Sequence, residues 1–314
     1  MVAGVGTLFV SPNWQKTRCT KAKRARVALD EPNCRLRMND VNTFRLQEKV
    51  IVIVGGTSGL GLSAAQACVR AGAATVIVGR DEQKCSAAVE KLGNQSRSIT
   101  GDACDPLTVT AAIQEAVTTF GGFHGLYHVA GGSGRRQGDG PLDQLSDQGW
   151  DHTLRLNLDS VFYSNRAAIQ QFLRQGTGGS VVNMASVLAD SPSPRFFATH
   201  AYATTKAATI GMTKAAAAYY APRNIRLNVI APALIDTPLA KRASEDDTIM
   251  RYVASKQPLD GGRIGVPADV DDAVVYFLSD EARFVTGQVL RIDGGWSLTD
   301  GQYEPTSDAA SDAT

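Results

Sequence analysis

Residues 50–61 read Val50-Ile51-Val52-Ile53-Val54-Gly55-Gly56-Thr57-Ser58-Gly59-Leu60-Gly61, and Leu62-Ser63-Ala64-Ala65-Gln66-Ala67-Cys68-Val69-Arg70 follow. The first five residues are apolar and β-branched without alternation. That is the pattern of a strand covered on both faces of a parallel sheet. The segment after Gly61 has no breaker until Gly72 and reads as a helix. A glycine-rich turn between strand and helix is the context a phosphate-binding loop requires. Glycine allows the tight turn and a close backbone approach, and the helix N-terminus offers unpaired N–H groups and the positive end of a dipole to a pyrophosphate. Gly55, Thr57, Ser58, Gly59, Leu60 and Gly61 are therefore the first candidate cofactor-binding residues.

Outward from this turn the alternation continues. Strands are expected at 75–78, 98–100, 126–129, 180–183, 226–230 and 288–292. Helices are expected at 83–92, 107–120, 150–174, 201–220 and 268–278. Strand and helix in regular succession imply right-handed crossovers and one doubly wound α/β domain, a Rossmann-type seven-stranded parallel sheet flanked by helices over residues 46–298. No second domain is expected. The insertion 233–262 is too short for one and stands where a substrate lid would be.

The chain has 314 residues, 43% of them apolar, and a formal net charge of +1. That is enough to bury a full core, and a globally basic nucleic-acid binder is not expected. No apolar run approaches the roughly 18–20 residues that cross a bilayer, so no membrane partner is expected either. Five cysteines are scattered without a CxxC pair, and His occurs four times. A disulfide framework and a structural zinc site lose support, no metal is expected, and a reducing, cytoplasmic location fits. Charge is uneven: residues 1–46 hold nine Lys/Arg against three Asp/Glu, and the remainder 23 against 28. Residues 1–45 are read as a basic, disordered extension and 299–314 as a disordered tail. A transit peptide is the competing reading of the extension, which is acid-poor up to Asp30 yet scarce in Ser.

A second motif is Tyr202-Ala203-Thr204-Thr205-Lys206. On a helix, positions i and i+4 share a face. An ammonium beside a phenol favours the phenolate and is expected to lower the Tyr pKa from about 10. Such a phenol exchanges protons with a substrate oxygen near neutral pH. Eight Tyr and ten Lys would yield about a quarter of one such pair by chance, so the pair counts only with its context. Sixteen residues upstream stands Asn183-Met184-Ala185-Ser186, directly after a strand, at the end of the sheet that faces a ligand crevice. Ser186 can donate to a carbonyl oxygen in the same pocket.

The spacing G-x-x-x-G-x-G and the Ser186, Tyr202, Lys206 set resemble the short-chain dehydrogenase/reductase family from about Leu46 to Gly295. The resemblance implies an NAD(P)-dependent oxidoreductase that interconverts a carbonyl and an alcohol, with Asn157, Ser186, Tyr202 and Lys206 as its catalytic set. Lys206 and Tyr202 would also hold the cofactor. The family's Asn occupies a local helix irregularity and holds a water beside the Lys. Arg80 stands where an acidic residue would bind the adenosine ribose, and a guanidinium there suits a 2′-phosphate, so NADP(H) is expected over NAD(H). Asp102 and Ala103 would border adenine. Ala130 and Gly131 permit close cofactor approach. Pro232, Ile235 and Thr237 would meet the nicotinamide. The chain departs from the family at Val54, usually Thr; at His128 and Val129, usually a pair of Asn; and at Ala233, usually Gly. His128 is read as a structural replacement. Residues 132–141, 187–199 and 233–262 would wall the substrate pocket. Arg135 and Arg136 are read by default as solvated loop charges, with an anionic substrate or a carrier protein as the alternative. Phe196 and Phe197 suggest an apolar lid or a subunit contact. A homotetramer is implied.

Three further readings compete. A non-catalytic nucleotide-sensing relative would be favoured by loss of Ser, Tyr or Lys, and all three are present. An NAD-dependent alcohol or sugar dehydrogenase differs only in cofactor and direction. A methyltransferase would need an acidic ribose partner after the second strand and gives no reason for Tyr202 and Lys206.

Overall fold

The computed structural model describes residues 45–302. Strand β1 (Val50–Val54) is buried along its whole length and pairs in parallel with β2 (Ala74–Gly79) on one side and β4 (Gly125–His128) on the other. With β3 (Ser96–Thr100), β5 (Gly179–Met184), β6 (Ile225–Pro232) and β7 (Val289–Ile292) it forms one parallel sheet in the order β3-β2-β1-β4-β5-β6-β7. The order reverses beside β1, so the loops after β1 and β4 diverge and leave a crevice at the carboxyl ends of the strands.

Alternation along each strand distributes the core. Ile51, Ile53 and Ile77 point to one face, against α1 (Gly59–Arg70), α2 (Glu82–Leu92) and α9 (Ala268–Leu278). Val50, Val52, Val54, Val76 and Val78 point to the other, against α3 (Pro106–Phe120), α5 (Ser160–Gln175) and the end of α6 (His200–Tyr220). With both faces covered, an alternating polar pattern would bury unpaired groups, which is why these strands read as continuous apolar runs.

The expected helix 150–174 is not continuous. α4 (Asp147–Leu154) passes into a π-helical turn over Arg155–Asp159 before α5 begins. The insertion 233–262 contains α7 (Lys241–Ser244) and α8 (Asp247–Lys256). Part of the expected tail is also ordered by specific bonds. Thr299 Oγ1 donates to the Lys256 carbonyl at 3.0 Å, and Ser255 Oγ donates to the Gly301 carbonyl at 2.8 Å. The expectations for 1–44 and 303–314 lie outside the described residues. Among the described residues, no helix is long and apolar enough to cross a membrane.

Candidate active site

The turn after β1 is shaped by what it lacks. A Cβ at Gly61 would overlap the Gly55 carbonyl, and one at Gly55 would come within 2.7 Å of the Ala130 backbone nitrogen. Gly55 has φ +94° and Gly59 φ +50°, a region that favours glycine. Ser58, at the N-cap of α1, makes no side-chain capping bond, so the first N–H groups of the helix face the crevice. A cavity of about 230 Å³ opens there. Gly55, Thr57, Ser58, Gly59, Leu60, Gly61, Arg80, Asp102, Ala103, Ala130 and Gly131 all line it. Every one of these was expected at a cofactor from the sequence.

A second cavity, about 710 Å³, shares Leu60, Arg80, Gly131 and Thr237 with the first and is lined further along by Ser186, Tyr202, Lys206, Pro232 and Ile235. The end of β5 supplies Ser186, the first turns of α6 supply Tyr202 and Lys206, and the segment after β6 supplies Ile235 and Thr237. The residues and the two joined cavities fit a dinucleotide cofactor, whose phosphates the N-terminus of α1 would hold.

Geometry around the Tyr-Lys pair departs from expectation. The nearby Ser186 hydroxyl favours the ionised phenol of Tyr202, but burial outweighs this and pushes the phenol up to about 12. Lys206 is buried, donates to the Met184 carbonyl at 2.9 Å, and is pulled down to about 8 by the same burial. Its Nζ lies 5.4 Å from the Tyr202 ring centre. Desolvation disfavours both charged forms, so it opposes the expected lowering of the phenol.

Asn157 lies in the π turn, fully buried, and lines neither cavity. Its Oδ1 accepts from the Gly132 N–H at 3.0 Å, and its Nδ2 donates to the Gly132 carbonyl at 2.8 Å and to the Thr153 carbonyl at 3.0 Å. It braces the loop after β4 beside Lys206: a Cβ on Gly131 would stand 2.6 Å from Asn157 Oδ1 and 3.6 Å from Lys206 Nζ. The extra residue of a π turn re-aims a side chain in this way.

The substituted positions are compensated. His128 is buried and neutral, its pKa pulled down to about 3 by desolvation and the nearby Lys206 charge. Its ring nitrogens meet Ser164 Oγ at 2.7 Å and Ser160 Oγ at 3.3 Å. Asn183 of β5 and Asn165 of α5 exchange two amide hydrogen bonds at 2.8 Å. Ala233 has no left-handed backbone conformation, so its turn has no need of glycine. Phe197 packs edge-on against Trp296 at 5.7 Å and Phe196 against Tyr252 of α8 at 5.0 Å, which gives both rings an intrachain partner.

Sequence reasoning missed Asp139. Its carboxylate accepts from the Ala201 and Tyr202 N–H groups, from more than sixty positions away. It also missed Trp296 in the pocket wall, whereas Leu239 and Arg242 fall within the expected wall segment 233–262. No local pattern marks Asp139 or Trp296.

A family model described as "Enoyl-(Acyl carrier protein) reductase" matches residues 54–297. The chain is 35% identical over 259 residues to a 2-keto-3-deoxy-L-fuconate dehydrogenase of Xanthomonas campestris, covering 81% of each protein. Its fold is similar to that of a short-chain type dehydrogenase/reductase from Mycobacterium ulcerans, with TM-score 0.75 and 33% identity over 84% of this chain and 94% of that one. It is also similar to a 3-ketoacyl-(acyl-carrier-protein) reductase from Brucella melitensis complexed with NADH, with TM-score 0.71 and 26% identity over 81% of this chain and all of that one. On the glycine turn, the switch-point crevice and these likenesses together, the chain belongs to the short-chain dehydrogenase/reductase family of NAD(P)-binding oxidoreductases.

Proposed function

We propose that the protein is an NADP(H)-dependent reductase of a ketone or aldehyde, working with Asn157, Ser186, Tyr202 and Lys206. The observation that carries this reading is Ser186, Tyr202 and Lys206 brought together on the wall of the larger cavity, with Lys206 Nζ 5.4 Å from the Tyr202 ring centre. When bound, the nicotinamide would supply hydride to the carbonyl carbon or accept it in the reverse direction. Ser186 holds the carbonyl oxygen as negative charge develops on it. Tyr202, kept protonated by burial, donates its proton to that oxygen. Lys206 would hold the cofactor ribose. Asn157 keeps the loop after β4 in position, and water beside it and Lys206 would return the proton to Tyr202. Residues 233–262 serve as the lid over the substrate.

Preference for NADP(H) is supported at the end of β2. Asp81 is occupied as the N-cap of α2, accepting from the Lys84 N–H at 3.0 Å, while Arg80 is exposed on the cavity wall with no hydrogen-bond or ion-pair partner among the described residues. A free guanidinium there meets a 2′-phosphate. The second reading, an NAD-dependent alcohol dehydrogenase, is favoured by the NADH bound in the Brucella relative. Mixing with NADPH and NADH, followed by oxidation of each with a panel of ketones, tests both. NADPH oxidation that Tyr202→Phe reduces by about three orders of magnitude supports the proposal. Retained turnover in that variant overturns the role of Tyr202, and NADH-only activity favours the second reading.

A further inference from the structure

Six cationic side chains line the larger cavity: Arg80, Arg135, Arg136, Lys206, Lys241 and Arg242. Among the described residues, no Asp or Glu lines it. Arg80 and Lys206 are accounted for by the cofactor reading, and Lys241 has an acidic neighbour, Glu245, at 3.6 Å. Arg135 and Arg242 come from different walls. Arg135 lies in a short 3-10 turn (Arg135–Gln137) after β4, and Arg242 in α7 of the lid. Arg135 is half-buried, and Arg242 is held over the pocket by its bond to the Phe196 carbonyl at 3.2 Å and by the Phe197 ring at 5.8 Å. Burial lowers the Arg135 pKa, and repulsion from the Arg242 charge adds to it. Asp139 is the one acid whose charge opposes this. Its carboxylate oxygens already accept from Ala201 and Tyr202, and it does not reach the cavity. Neither arginine has a carboxylate partner among the described residues.

We propose that Arg135 and Arg242 together bind an oxyanionic group of the substrate, so that the physiological substrate is a small oxo or hydroxy acid rather than a neutral ketone or alcohol. Two like charges on the wall of one cavity are relieved by an anion between them, and guanidinium groups match the geometry of a carboxylate. The cofactor's phosphates are not the anion in question, because neither arginine lines the smaller cavity at the α1 N-terminus. The inference rests on the carbonyl-reductase reading for its substrate, but the anion site is testable without turnover.

The test uses the full chain saturated with NADPH, which occupies the phosphate sites. Thermal melting is followed with succinate, with inorganic phosphate, and with dimethyl succinate at equal ionic strength. Succinate is expected to raise the melting temperature of the native protein and dimethyl succinate to leave it unchanged. The succinate effect should vanish in Arg135→Gln/Arg242→Gln and shrink in each single variant. NADPH fluorescence identifies the folded variants. A larger shift with phosphate than with succinate would overturn the carboxylate assignment in favour of a phosphate ester. No shift in the native protein, or one retained in the double variant, overturns the site. In kinetics, short-chain oxo acids should exceed their methyl esters in kcat/KM by on the order of 100-fold, and the double variant should lose that ratio. Equal turnover of acids and esters overturns the substrate class while leaving the reductase reading intact. A succinate shift without turnover of any oxo acid sustains the anion site and counts against the reductase reading instead.

Discussion

The Asp139 carboxylate accepts hydrogen bonds from the backbone N–H groups of Ala201 and Tyr202, each at 3.0 Å. Thr199, at the N-cap of α6, makes no side-chain capping bond, so Asp139 does from a distance what a cap residue does locally. It fixes the turn of helix that carries the phenol. Asp139→Ala is expected to cost about 1–2 kcal/mol of stability. It should lower kcat by roughly 10–100-fold through misplacement of Tyr202, with NADPH affinity little changed. Steady-state kinetics beside NADPH fluorescence titration checks this, and Asp139→Asn should recover part of the loss.

Burial of Tyr202 and Lys206 fixes the direction of the pH profile. The phenol stays protonated through the neutral range, with its pKa at about 12, while the Lys206 ammonium is lost above about 8. Carbonyl reduction should hold its kcat/KM up to about pH 8 and fall above it as Lys206 loses its charge, while the phenol that donates the proton remains protonated. Alcohol oxidation should rise with pH over the same range. A reduction rate that climbs through pH 8 would contradict the assignment of the donor.

Arg80→Gln should raise the KM for NADPH by about 10–100-fold and leave that for NADH nearly unchanged, because only the former carries a phosphate for the guanidinium to pair. Comparing both cofactors against one carbonyl substrate measures the split. An equal effect on the two would remove Arg80 from the phosphate site.

Gly61→Ala places a methyl group against the Gly55 carbonyl, and backbone on both sides prevents relief. The turn must open, and the N-terminus of α1 moves with it. NADPH binding is expected to weaken by at least about 100-fold, which fluorescence titration reads directly.

His128 makes stability depend on pH below neutrality. Its folded pKa, about 3, lies far below the ordinary 6.5, so below 6.5 the unfolded chain binds the extra proton and the folded chain does not. The stability present above pH 6.5 is lost progressively as pH falls towards 3. Between pH 6.5 and 5 the contribution is about 2 kcal/mol. Thermal melts of His128→Asn should show a shallower decline over that interval than the native protein, although the variant starts lower for want of the Ser160 and Ser164 contacts.

Local order was legible wherever one element's neighbours lie within one turn of sequence. The apolar run 50–54 meant a strand covered on both sides. The glycines after it meant a backbone with no room for side chains, and Tyr202 and Lys206 meant one helix face. Each of these depends on chain geometry over a few residues. The sequence also indicated that His128 is structural, since a lone imidazole at a strand end has no chemistry of its own to point to.

What depends on two distant segments meeting was decided only in three dimensions. Family resemblance implied a helix irregularity at Asn157, but the π turn at Arg155–Asp159 has no local signature of its own, and it is what turns Asn157 onto Gly132. The upward shift of Tyr202 comes from burial, a property of the packed protein that a Lys four residues away does not reveal. Asp139 reaching α6, and Arg135 and Arg242 lining one pocket, join residues 62–107 positions apart, and no periodicity in the chain records such encounters. Residue pattern fixes how each segment folds because backbone sterics act locally. Charge environment and capping from afar follow from which surfaces the completed sheet brings together.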